Sequence, residues 1–92
     1  MVYMVTYDLN KTGQDYENVI KAIKSASNGV FCSYWKSSWL IESNLQTADD
    51  VFKKIEPYVD ENDKLIVIEV RNNKEGYQTK EEWDYINNQI FG

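Results

Sequence analysis

The residues best placed to do chemistry are few, and Asp8 is the first of them. It closes Val2-Tyr3-Met4-Val5-Thr6-Tyr7, a run of strand formers, and Leu9-Asn10-Lys11-Thr12-Gly13 after it is turn chemistry. A carboxylate ending a strand sits on the rim of a sheet. There it can hold Mg²⁺, an ion that often takes only one or two protein carboxylates and keeps its waters. It can equally cap the loop that follows by accepting backbone N–H groups. Asn10, Ser37 and Ser38 are candidates for the same rim, because the end of the first strand and a turn at Lys36-Ser37 would lie close together. They are also ordinary turn residues.

The remaining inventory excludes more than it offers. There is no His, so the commonest general base and transition-metal ligand are missing. The one cysteine, Cys32, makes no intrachain disulfide or zinc site and reads as a small buried hydrophobe in Val30-Phe31-Cys32-Ser33-Tyr34. The carboxylates Asp49-Asp50, Asp60-Glu61-Asp63 and Glu81-Glu82-Asp84 lack the spacing of a calcium loop and read as solvated first-turn and loop residues. Gly13 and Gly76 form no phosphate loop, and no serine has a histidine to activate it. A net charge of −5, with Arg71 as the sole arginine, argues against a nucleic-acid-coating protein. No apolar run is long enough to span a membrane, no signal peptide is legible, and the default expectation is a cytosolic protein.

The elements that must position these residues follow from periodicity. Ninety-two residues, 42% hydrophobic and 27% charged, make one globular domain, residues 1–92, with a core in 1–70 and a C-terminal loop and helix in 71–92. Val2 to Asp8 is the first strand. A helix follows to about Ser27, with Tyr16, Val19, Ile20, Ile23 and Ala26 at helical spacing and Gly29 suited to a left-handed cap. Val30 to Trp35 and Ser38 to Ser43 form a hairpin. Thr47 and Asp50 resemble a capping box before the stripe Ala48, Val51, Phe52, Ile55 and Val59, and Pro57 should end that helix near Glu56. Leu65 to Val70 is a nearly continuous apolar strand, so it is expected to be covered on both faces. Arg71 to Gln78 is a loop. Thr79 and Glu82 form a second capping box, and Trp83, Ile86 and Ile90 are one stripe of a short last helix.

This order is the split βαβ arrangement of an α+β, ferredoxin-like βαββαβ fold: a four-stranded antiparallel sheet, two helices on one face, plus the C-terminal helix. Right-handed crossovers are expected to pair the first and last strands at the centre of the sheet. Two helices cover one face only. The other face, expected to carry Tyr3, Val5, Trp39, Ile41, Leu65 and Val67, needs the terminal helix or a second copy of the chain as its cover, which makes a homodimer the expected assembly. Strand aromatics (Tyr3, Tyr7, Tyr34, Trp35, Trp39) can stack bases on an exposed sheet, but the strands offer few cations beside them, so core or interface packing is the expected role.

Tyr7-Asp8-Leu9-Asn10, Ser37-Ser38-Trp39-Leu40-Ile41 and Asn62-Asp63-Lys64-Leu65-Ile66-Val67-Ile68-Glu69 resemble a group of small bacterial and phage proteins catalogued as SinR-like. Over residues 1–70 the strand order and the strand ending in Tyr-Asp also resemble the second CRISPR-associated adaptation protein. In that family the aspartate ending the first strand is the proposed metal ligand of a nuclease, facing its mate across a symmetric dimer. The resemblance implies that role for Asp8 and for no other residue. That family is typically basic and adds a final strand, whereas this chain is acidic and ends in a predicted helix. Two functional expectations follow. One is a non-catalytic homodimeric module that binds a protein or a small nucleotide, without a cofactor, in phage–host conflict. The other is a Mg²⁺-dependent endonuclease working through paired Asp8.

Overall fold

The computed structural model describes residues 1–10 and 14–92, without the side chains of 14 and 15. Lys11-Thr12-Gly13, part of the loop that an Asp8 cap would serve, lies outside the described residues. The elements are β1 (Val2–Asp8), α1 (Gln14–Ala26), β2 (Phe31–Trp35), β3 (Ser38–Glu42), α2 (Ala48–Ile55), β4 (Lys64–Val70) and α3 (Lys80–Tyr85), the last continuing into a wider π-type turn, Ile86–Ile90. They build one four-stranded antiparallel sheet in the order β2-β3-β1-β4, the ferredoxin-like arrangement.

Local chemistry explains the boundaries. Val19, Ala22, Ile23 and Ala26 form the buried stripe of α1, and Gly29 follows with φ 98°, a left-handed conformation that costs glycine nothing. The Thr47 hydroxyl accepts from the Asp50 N–H at 3.1 Å and caps α2. Pro57 then turns the chain into a short 3₁₀ segment, Glu56–Tyr58, as a missing N–H requires. Both halves of the Thr79–Glu82 capping box are made, at 3.0 and 3.2 Å.

The sheet has two faces, set by the alternation of β1. Tyr3, Val5 and Tyr7 point to the face under α1 and α2, with Val19, Ile23, Ile41, Val51 and Ile55. Tyr3 is buried there, its hydroxyl donating to the Leu45 carbonyl at 2.7 Å. On the opposite face, Cys32 and Leu40 are buried with Ile86 and Ile90, and Val2, Met4 and Val70 pack around them. The C-terminal helix therefore covers the second face over Cys32, Leu40 and Met4 and leaves Ile66 and Ile68 of β4 exposed.

Three expectations change. β4 does pair with β1, but β1 and β3 hold the centre and β4 is an edge. The side chains of β4 are accordingly not covered on both faces: Ile66 and Ile68 are 52% and 46% exposed. An unbroken apolar run signals little polar pressure on either face and does not encode position in the sheet. Finally, Tyr3, Val5, Trp39, Ile41, Leu65 and Val67 lie on the face covered by α1 and α2, not on the second face.

Candidate functional site

The predicted rim exists. Asp8 ends β1, exposed, opposite Lys64 in the β1–β4 register. Asp8 and Asn10 share a shallow cleft with Leu9, Asn62 and Lys64. The hairpin turn reaches β1 as expected. The Tyr7 N–H donates to the Ser37 carbonyl at 3.0 Å, and the hydroxyls of Thr6 and Ser38 are 2.9 Å apart. Ser37 takes φ 55°, a left-handed residue in a turn with no glycine to supply it.

In this rim the carboxylate seen tying loops together is Asp63. One oxygen accepts from the Asn10 N–H at 2.8 Å and the other from the Asp60 N–H at 3.0 Å, joining the loop after β1 to the loop before β4. Among the described residues, no group of three or more His, Cys, Asp or Glu side chains is arranged to hold a metal ion.

Another concavity lies elsewhere, and Asp8, Asn10, Ser37 and Ser38 are not among its lining residues. It is a half-open space of about 570 Å³ on the second face of the sheet. Met4, Leu40 and Val70 form its floor, and Trp83, Ile86 and Phe91 form the wall on the helix side. Arg71 to Gln78 forms a strap that leaves β4 on one edge of the sheet and reaches β2 on the other. At the β2 end Gln78 meets Trp35. With its amide oriented to satisfy both neighbours, its oxygen accepts from Trp35 Nε1 at 2.7 Å and its nitrogen donates to Glu82 Oε1 at 2.8 Å. The same Glu82 oxygen closes the capping box, so the start of α3, the strap and β2 share one polar knot.

Two further anchors fix the helix that forms the wall. The Tyr85 hydroxyl donates to the Phe31 carbonyl at 3.0 Å. The Phe91 N–H reaches the Ile86 carbonyl at 3.0 Å, five residues back, which widens the last turn, and Ile86 and Ile90, four residues apart, both face the sheet. Cys32 lies beneath this layer, and burial pushes its thiol up to about 11, so it stays protonated at neutral pH.

Sequence reasoning missed this cavity. Trp83 and Ile86 were legible as a helix stripe, but the strap carries no periodicity, and its crossing of the sheet depends on where α3 docks.

No protein family model matches the chain, and a search of curated proteins finds no match.

Proposed function

We propose that the protein is a non-catalytic binding module whose site is the cavity between the second sheet face, the strap and α3. The observation that carries this is the cavity itself: about 570 Å³, with an apolar floor and aromatic walls under a polar strap. Small-molecule sites have this size and this mixture of apolar lining with a few convergent polar groups. The module acts as a homodimer: β4 lies at the sheet edge and exposes Ile66 and Ile68, apolar surface that a second copy would cover. A role in phage–host conflict rests on the resemblance to SinR-like proteins. No helix of the described residues is long and apolar enough to cross a membrane.

The test is a chemically mixed fragment library screened by ¹H–¹⁵N NMR. The expected result is binding whose shifts concentrate on the Trp35 and Trp83 indole N–H groups and on the backbone of 71–78. A library with no member that shifts these signals overturns the reading.

The second reading is a Mg²⁺-dependent nuclease using Asp8 from two subunits. Its support is the exposed position of Asp8 at the end of β1, which a symmetry mate can approach.

A further inference from the structure

We infer that the cavity under the strap takes a planar aromatic ring carrying an anionic group, the chemistry of a nucleoside monophosphate. This rests on the reading of the protein as a binding module and adds the class of ligand.

The aromatic half of the argument is the lining. Trp35 of β2 and Trp83 of α3 are half-buried side chains that line the space together with Phe91. Tyr77, also of the lining, is fully exposed on the strap, free of the packing that would fix a core ring. Aromatic side chains lining a space this size suit a flat guest, and base–aromatic stacking tolerates any base.

The anionic half comes from charge. In a chain of net charge −5, the sole arginine, Arg71, stands on this lining with Lys74. The Lys74 ammonium lies 4.7 Å from the centre of the Phe91 ring and bonds the Asn72 side chain, so it is held at the wall. Glu75 is the one carboxylate of the lining, and its oxygen accepts from the Gly76 N–H at 3.1 Å. Glu82, just behind the strap, is engaged by Thr79 and Gln78. Two cations against one carboxylate on the lining reverse the sign of the protein as a whole. A guanidinium offers a planar fork that matches phosphate. A neutral guest would form no charge-assisted hydrogen bond with either cation.

The probes are AMP, adenosine and inorganic phosphate, titrated into ¹⁵N-labelled protein. The readouts are the indole N–H signals of Trp35 and Trp83. Trp39, whose indole donates to the Tyr7 hydroxyl under α1 and α2, is the internal control. AMP is expected to shift Trp35 and Trp83 and leave Trp39 in place. Adenosine should bind roughly tenfold more weakly, the loss of one charge-assisted contact. Arg71→Gln should bring AMP to the level of adenosine, Lys74→Gln should do so in part, and both changes lie in the strap, outside the buried core. Raising salt from about 50 to about 500 mM should weaken AMP and spare adenosine. Adenosine bound as tightly as AMP, AMP binding indifferent to Arg71→Gln, or equal shifts at Trp39 would overturn the ligand class. In the first two cases the cavity remains a binding site for another chemistry. If AMP and adenosine leave the cavity signals still, the ligand class falls, and the fragment screen decides separately whether the binding module survives.

Discussion

The phenol of Tyr85 donates to the main-chain carbonyl of Phe31 at 3.0 Å and ties α3 to the edge strand β2. This bond joins residues 54 apart in sequence, across the second sheet face. Tyr85→Phe keeps the ring and removes the donor, leaving a partly buried carbonyl short of a partner. The expected loss is about 0.5–1.5 kcal/mol in denaturant unfolding. Because the helix docked by this bond forms one wall of the cavity, the backbone signals of 80–90 should show faster hydrogen exchange than in the parent protein.

Ile86 and Ile90 are the buried pair that holds the C-terminal helix on the sheet. Ile90→Ala should cost about 2–5 kcal/mol, the range for truncating a buried isoleucine. The proposed dimer, whose contact is at Ile66 and Ile68 of β4, makes the parent's own midpoint depend on concentration, but the loss caused by Ile90→Ala should not, whereas it would if a partner chain covered Ile90. Unfolding midpoints measured over a hundredfold dilution series separate the two.

Cys32 supplies a pH prediction. Its thiol is pushed from the ordinary 9.0 to about 11, first by burial. The folded state therefore holds the proton more tightly than the unfolded state. Stability attached to this group is fully present below 9.0 and is lost as pH climbs through about 11, with a full loss on the order of 2–3 kcal/mol. Cys32→Ala should flatten that part of the stability–pH curve. At neutral pH the parent thiol should react with a disulfide reagent far more slowly when folded than in denaturant.

Ser37 offers a stabilising change. It holds φ 55°, and only its main-chain carbonyl serves Tyr7 N–H and the Thr6 hydroxyl, the latter at 3.3 Å. Glycine keeps that carbonyl and relieves a left-handed residue of a cost of roughly 1–2 kcal/mol, offset by its greater freedom when unfolded. A net gain below about 1 kcal/mol is expected for Ser37→Gly. A clear loss in thermal unfolding would mean that the Ser37 side chain has a role in the turn.

What the chain discloses without its structure is its local chemistry. Thr47, Pro57, Thr79 with Glu82, and Gly29 each act on their own turn of backbone, and each is found doing so. The alternation of β1 was equally plain, but which face it presents to α1 and α2 depends on register. Val5 is opposite both Trp39 and Val67, and that pairing decides the face for all three. The edge position of β4 was hidden for a different reason: an unbroken apolar run does not encode a strand's place in the sheet. At the candidate sites, Asp8, Asn10, Ser37 and Ser38 do gather around one end of the sheet, because strand ends and turns are local features. The cavity is not local: Trp35, Arg71 and Trp83 meet only when the strap has crossed the sheet.

The rim can be tested by dividing its two carboxylates. Asp63 accepts two backbone N–H groups from two loops, so Asp63→Ala should cost about 1–2 kcal/mol. Asp8 is the residue on which a nuclease would depend. Asp8→Asn is isosteric but a poorer Mg²⁺ ligand, so it separates metal chemistry from shape. As a binding module, the purified protein should leave RNA and DNA intact with Mg²⁺ present, and Asp8→Asn should change neither that result nor AMP binding at the distant cavity. Cleavage that requires Mg²⁺, survives Asp63→Ala under folded conditions and disappears in Asp8→Asn would replace the binding module with the nuclease.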